Sequence, residues 1–209
     1  MVELNGLWGK FYRITEWVAR LVYVQCLWLV FSIVGLLVAG IFPATMGMFA
    51  VVRRWQLGET DVPVFPEFWT TYKQEFIKAN LVGWLTTIVG GLLLFNLTLF
   101  RGYEGVFFLI CYLFTLTIIF LYSLTALFVA PVFVQYKLSA LKVIKYAAII
   151  ALSYPLHALM MGAIMIAFYY VLLLVPGLLP IFSFSWLAFL LMWVANLVFR
   201  RMDQKEVQK

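Results

Sequence analysis

The sequence contains few charged residues and few of the side chains that build catalytic or metal sites. Only 11% of its 209 residues are Asp, Glu, Lys or Arg, and it has one histidine and two cysteines. Soluble domains carry about 25% charged residues. Cys26 and Cys111 each lie inside an apolar run, with no neighbouring histidine or carboxylate. This pattern argues against a zinc site and against a disulfide framework.

Apolar side chains dominate instead, since 66% of the residues are hydrophobic and 19% are aromatic. A soluble chain of this size cannot bury so much apolar surface, whereas a membrane protein exposes it to lipid. The net charge of +6 comes from basic residues at the ends of apolar runs. Membrane topology explains that placement better than nucleic-acid binding does, so we expect no nucleic-acid partner.

Long apolar runs predict one all-α domain over residues 1–209, a polytopic transmembrane helical bundle with five to six membrane segments. A bilayer core of about 30 Å requires roughly 20 helical residues. An amphipathic segment at 7–20 comes first, and an amphipathic cytoplasmic link is predicted at 57–78. The predicted membrane segments are 21–40, 43–56 (short), 79–100, 105–135, 146–175 and 178–199. Pro131 and Pro155 are the expected kink points within them.

The number of segments depends on whether the chain returns through the membrane after residue 40. With five segments, the best orientation leaves Lys10, Arg13, Arg20 and Arg101 outside among the 15 basic residues. With a returning sixth segment, only Arg101 is outside. Because cytoplasmic loops carry the excess of Lys and Arg, this distribution favours three helical hairpins with both termini cytoplasmic. The short segment remains open to a second interpretation, a re-entrant half-helix that does not fully cross.

The cytoplasmic link carries an aromatic face. Its aromatic residues recur at three- and four-residue spacing, which is typical of an amphipathic helix; they are Phe65, Phe68, Trp69, Tyr72 and Phe76. Such a helix either anchors the fold at the membrane interface or docks a partner by helix-in-groove packing. Phe68, Trp69, Tyr72 and Phe76 are therefore candidate docking residues.

His157 is the one ionisable group predicted inside a membrane segment, two residues after Pro155. It is a candidate intramembrane polar site, although a neutral side chain with a hydrogen bond to a carbonyl freed by the proline is the simpler explanation. For the uncharged residues Gln25, Asn96, Asn196 and the Thr86–Thr87 pair, we expect interhelical hydrogen bonds. No catalytic grouping is recognisable, so we expect neither enzyme activity nor a cofactor nor a bound metal.

The N-terminal half contains several short motifs, namely Asn5-Gly6-Leu7, Leu27-Trp28-Leu29, Pro43-Ala44-Thr45, residues 51–55, Phe68-Trp69 and residues 76–80. These motifs give the chain a resemblance to the YesL-like family of bacterial membrane proteins. The resemblance covers roughly the first 80 residues, and residues 33–42 depart from it because Gly35 and Gly40 occur without a Pro-rich turn. The resemblance implies a multi-pass protein of the bacterial plasma membrane with no settled activity. It also implies a neighbourhood of carbohydrate-uptake ABC transporters and sugar-responsive sensor kinases.

Two functional hypotheses follow. The first is a non-enzymatic accessory protein that contacts the lipid bilayer and another membrane protein, such as subunits of a carbohydrate-uptake ABC transporter. The second is a small secondary transporter or permease, which requires broken helices or charges directed at a midplane site. Only the prolines at 43, 131 and 155 favour the second hypothesis.

Overall fold

The chain folds into a bundle of helices. A computed structural model describes residues 7–175, 177 and 179–207, and within this part of the chain it contains eight helices and no strand. These are α1 (Leu7–Val34), α2 (Ile41–Gln56), α3 (Val64–Gln74), α4 (Phe76–Arg101), α5 (Val106–Gln135), α6 (Ala140–Ser153), α7 (Pro155–Leu174) and α8 (Leu179–Val207). The all-α prediction is confirmed.

Five of the described helices are long and apolar enough to cross a membrane. Helices of this length and composition are typical of a membrane protein. The five candidate spans are Ile14–Val34, Phe76–Arg101, Val106–Gln135, Pro155–Leu174 and Ser183–Gln204. The 16 residues of α2 extend about 24 Å at 1.5 Å per residue, which is less than the roughly 30 Å hydrocarbon core. The complete crossing of α2 therefore stays a prediction.

Helices α1 and α2 form an antiparallel hairpin. The rings of Trp17 and Trp55 lie 5.8 Å apart at one end, and Trp28 Nε1 donates to Thr45 Oγ1 over 3.0 Å near the other. The turn needs glycine, because a Cβ on Gly35 would lie 2.3 Å from the Cα of Gly40. The chain thus returns after residue 40 through a close backbone contact rather than through a Pro-rich turn.

Helix α8 occupies the centre of the bundle. In the most apolar stretch of α8, 56% of the residues are buried, whereas the corresponding share is 11% in α4 and 6% in α5. It runs antiparallel to α1, since Trp28 stacks on Phe184 at 4.5 Å and Trp17 meets Phe189 at 5.7 Å. Helices α4 and α5 therefore expose most of their apolar surface, whereas α8 is enclosed.

Several predicted boundaries differ from the structure. The single segment predicted at 146–175 is divided into α6 and α7 at Tyr154, whose φ of −127° and ψ of 60° are not helical. The physical reason is Pro155, which disfavours the helical region for the preceding residue but suits the first turn of a new helix. Pro131, by contrast, lies inside an uninterrupted α5.

The other boundaries shift by a few residues. Segments 7–20 and 21–40 form one helix that ends at Val34, and residues 35–40 form the turn. The short segment predicted at 43–56 begins at Ile41, and the segment predicted from residue 79 begins at Phe76. The last segment extends beyond residue 199 to Val207. Apolar runs therefore located the helices, but several helices continue through polar residues beyond the ends of these runs.

Candidate functional site

The aromatic face of α3 packs around a single ring of α1. Pro63 precedes the helix in an extended conformation and Glu67 lies in its first turn, a favourable position near the positive end of the helix dipole. Phe31 of α1 lies 5.4 Å from Phe68, 5.3 Å from Trp69 and 5.1 Å from Tyr72, measured between ring centroids. We call Phe31, Phe65, Phe68, Trp69 and Tyr72 the aromatic cluster. It fixes α3 against the α1–α2 hairpin.

Burial divides the predicted docking residues into two groups. Phe68 is 0% exposed and Tyr72 is 6% exposed, and the Tyr72 hydroxyl donates to the carbonyl oxygen of Phe31 over 3.1 Å. Burial also raises the pKa of Tyr72 above its ordinary value. Trp69 is 39% exposed, while Phe76 is partly buried with its ring 5.5 Å from Tyr72. Phe68 and Tyr72 thus stabilise the fold, and Trp69 is the candidate that still presents a surface to a partner.

The cluster is also close to the backbone of α2. A Cβ on Gly47 would lie 3.1 Å from the Phe68 carbonyl oxygen and 3.2 Å from its ring. Small residues permit this kind of close approach between membrane helices. Helix α3 therefore lies across the hairpin, between Glu67 near the end of α2 and Tyr72 near the Gly35 turn. The sequence had indicated only a cytoplasmic amphipathic link.

Ion pairs fix the ends of α2, α3 and α4. Arg54 contacts Glu59 at 2.6 Å and Glu67 at 3.3 Å, and Lys78 contacts Glu75 at 2.9 Å. The hydrogen bond with Glu59, followed by the charge of Glu67, raises the pKa of Arg54. Burial, followed by repulsion from Arg54, lowers the pKa of the adjacent Arg53. The two neighbouring arginines therefore have different surroundings, one paired with acids and the other partly buried.

His157 lies in the first turn of α7 and not in the middle of a span. The residue is 6% exposed, and its ring meets Tyr154 edge-on at 6.1 Å. Arg201, in the last part of α8, is close enough to act on it electrostatically. The structure thus places this candidate polar site beside the basic end of α8.

The uncharged polar residues fall into two classes. Gln25 accepts a hydrogen bond from the backbone N–H of Ser185 over 3.0 Å, and Asn196 donates to Gln56 over 2.7 Å, so both connect different helices. Thr86, Thr87 and Asn96 instead donate to carbonyl oxygens four residues earlier in their own helix. The expectation of interhelical bonds is therefore met for Gln25 and Asn196 only.

Two important residues were not identified from the sequence. Phe31 is the centre of the aromatic cluster, and Gln56 both donates to the Phe189 carbonyl oxygen over 2.7 Å and accepts from Asn196. Phe31 gave no signal, because it is one of 20 phenylalanines in an apolar run. The signal for Gln56 was available, since it is an amide that directly follows the Arg53-Arg54-Trp55 sequence at the end of a helix.

The described residues contain no group of three or more His, Cys, Asp or Glu side chains that could hold a metal ion. Cys26 is exposed and Cys111 is half-buried, and both are free thiols. The aromatic cluster can bind other molecules through the apolar surfaces of its rings, and the ring faces can also contact cations.

Comparison with known proteins gives a consistent family. Residues 21–97 match a family described as "Protein of unknown function, DUF624". The chain is 33% identical to the Bacillus subtilis uncharacterized protein YteU, over 97% of this chain and 91% of that protein. It is 34% identical to uncharacterized protein YesL of the same organism, over 99% and 97% of the two chains. Uncharacterized protein YesV shares 31% identity, over 92% and 93%.

No solved structure matches the chain. The alignment with these relatives extends over nearly the whole length, whereas the sequence motifs had suggested a specific resemblance over about the first 80 residues. The later part of the chain is aligned in them as well, although it lacks short motifs that stand out by eye. The chain belongs to the DUF624 family of YesL-like proteins.

Proposed function

We propose that this protein is a non-enzymatic accessory membrane protein that binds another membrane protein through the exposed side of the aromatic cluster. The observation that supports this proposal is the partial exposure of Trp69, at 39%, on a helix that the buried rings of Phe68 and Tyr72 hold against the α1–α2 hairpin. Phe65 is 44% exposed beside it, and Lys73 lies exposed one turn further along α3. Partly exposed aromatic side chains on a packed helix are typical of interface anchors.

The partner class that we propose is a membrane subunit of a carbohydrate-uptake ABC transporter. Support for this class comes from the genomic neighbourhood that the resemblance to YesL-like proteins implies, which is an association and not a mechanism. The exposed apolar surfaces of α4 and α5 suit lateral contact with either lipid or another membrane protein. The proposed localisation is the bacterial plasma membrane.

Site-specific crosslinking in living cells tests this proposal. A photo-reactive phenylalanine analogue at position 69 should form an adduct with an ABC-transporter membrane subunit, identified by mass spectrometry. The control is the same analogue at Leu156, which is 68% exposed on α7 and lies outside the aromatic cluster. Adducts with lipid alone at position 69, or the same protein adducts at both positions, would contradict the proposal.

A small secondary transporter is the second candidate. The observation that favours it is the interruption of helical structure at Tyr154, between α6 and α7, since transporters often bind substrate at discontinuous helices. This hypothesis predicts solute accumulation by purified protein in proteoliposomes without any partner. An accessory protein should show none under the same conditions.

A further inference from the structure

A small polar groove opens where the ends of α2 and α5 meet α3 and the start of α4. Its volume is about 160 Å³, and its charged lining residues are Arg53, Glu67, Glu75, Lys78 and Lys137. The groove lies on the basic side of the bundle and does not include the exposed face of Trp69. An inference from it is therefore independent of the proposed docking function.

The charges in the groove do not balance once the ion pairs are assigned. Glu67 pairs with Arg54, which lies outside the groove, and Glu75 pairs with Lys78 at 2.9 Å. Lys78 is further held over the ring of Phe133, 4.2 Å from its centroid. Among the described residues, Arg53 and Lys137 have no carboxylate within ion-pair distance. Because Arg54 also pairs with Glu59, its charge does not use up that of Glu67. The three cations of the groove therefore face two carboxylates, an excess of one positive charge.

A hydrogen bond to α5 fixes the Arg53 side chain at the edge of the groove. Its Nε donates to Gln135 Oε1 over 2.7 Å, a bond between residues 82 positions apart that connects α2 to α5. Its two terminal Nη groups have no hydrogen-bond partner in the described part of the chain. Glu59 and Glu67 act on Arg53 only from beyond ion-pair distance, so the partly buried guanidinium recovers only part of the hydration that it loses. An anion in the groove would supply an opposite charge.

We propose that this groove binds a phosphate group. The planar guanidinium of Arg53 presents its two free Nη groups to two phosphate oxygens, which is the bidentate geometry that arginine favours. The Lys137 ammonium supplies the second positive charge, and a phosphate with its several acceptor oxygens satisfies both better than a single carboxylate does. The phosphate belongs either to an anionic lipid headgroup at the membrane surface or to a soluble phosphate ester.

Binding to the purified full-length protein in detergent tests this inference. The two probes are phosphatidylglycerol, followed by native mass spectrometry, and inorganic phosphate, followed by thermal stability at constant ionic strength. Arg53→Gln should weaken binding roughly 10- to 100-fold, because charged hydrogen bonds contribute about that factor. Arg53→Lys keeps the positive charge but loses the planar guanidinium with its two Nη donors. It should weaken binding less than Arg53→Gln does. Arg200→Gln, the same change at an exposed position outside the groove, should bind like the unmodified protein.

The two probes distinguish the source of the phosphate. Binding of both supports a site for the phosphate group itself, binding of the lipid alone supports a headgroup site, and binding of inorganic phosphate alone supports a soluble ligand. Failure of both probes overturns the proposal, as does equal binding by Arg53→Gln and the unmodified protein. If Arg53→Gln does not fold, Lys137→Gln at an exposed position decides: it must weaken binding, and unchanged binding overturns the proposal.

Discussion

At the residue scale, Gly83 and Gly91 of α4 offer a matched pair that separates packing from helix propensity. A Cβ on Gly83 would lie 2.2 Å from the ring of Phe42, whereas a Cβ on Gly91 would meet nothing within 4 Å. We expect Gly83→Ala to destabilise the protein by about 1–3 kcal/mol, because the Phe42 ring must shift. Gly91→Ala should be neutral or stabilising by up to about 1 kcal/mol, since alanine favours the helix.

Thermal unfolding of both variants in the same detergent provides the measurement. The two melting temperatures should move in opposite directions relative to the unmodified protein, or only that of Gly83→Ala should fall. A similar decrease in both melting temperatures would show that the Phe42 ring does not pack on Gly83.

His157 gives a second prediction at this scale. Because the residue is 6% exposed, an uncharged side chain is favoured at this position. His157→Gln keeps a neutral hydrogen-bonding group and should change the unfolding free energy by less than about 1 kcal/mol. His157→Lys introduces a buried charge beside Arg201 and should cost about 3–5 kcal/mol.

Both variants can be compared by detergent thermal unfolding and by the crosslinking yield from position 69. Loss of crosslinking in a folded His157→Gln protein would identify this histidine as a functional residue. Equal stability of the Gln and Lys variants would show that the site is open to water.

At the scale of single helices, the two neighbours Phe68 and Trp69 of α3 are expected to behave differently. Phe68→Ala removes a ring that is 0% exposed and should cost about 3–5 kcal/mol in the unfolding free energy. Trp69→Ala removes a half-exposed ring that stacks on Tyr72 at 5.8 Å, and should cost about 0.5–1.5 kcal/mol.

The same pair tests anchoring against docking. Trp69→Ala should leave the isolated protein folded and reduce co-purification of its partner, because aromatic anchors carry much of an interface's energy. If Trp69→Ala changes neither stability nor partners, the exposed side of the aromatic cluster serves neither purpose. A large loss of stability would instead show that Trp69 is part of the core.

The helices themselves were largely predictable, but their relations were not. Apolar runs identified the other long helices but joined α7 to α6, because the bilayer imposes both the length and the composition of membrane segments. The aromatic spacing at Phe65, Phe68 and Tyr72 predicted α3 correctly, since i, i+3 and i+4 positions share one helix face. The contact between α3 and Phe31 could not be predicted. It depends on which face α1 turns towards α3, and a helix that is apolar on all sides gives no sign of that face. The break at Tyr154 was hidden for a similar reason, since apolar residues continue on both sides of Pro155.

At the scale of the whole molecule, the basic residues and the hairpin make a joint prediction about topology. Arg20 Nη1 donates to the Thr60 carbonyl oxygen over 2.6 Å, so the first part of α1 and the loop after α2 lie at the same end of the bundle. Reporter fusions after Lys10 and after Lys209 should both report the cytoplasm. A fusion at Tyr103, between α4 and α5, should report the opposite side and serves as the control.

Fusions after Lys10 and Lys209 that report opposite sides would establish five crossings. In that case α2 would not cross the membrane, and 11 of the 15 basic residues would still lie on the cytoplasmic side. Arg20 and Thr60 would then lie on opposite sides, so the hydrogen bond between them could not form.

The position of α8 has a consequence for the synthesis of the protein. Gln25 receives its hydrogen bond from Ser185, 160 residues later, and Gln56 receives its two partners from Phe189 and Asn196. During synthesis, both amides enter the membrane region well before these partners leave the ribosome. The first hairpin therefore lacks these contacts with α8 until the last helix arrives. Ribosomes stalled before residue 183 should hold a nascent chain that is sensitive to membrane proteases, and release of the full chain should protect it.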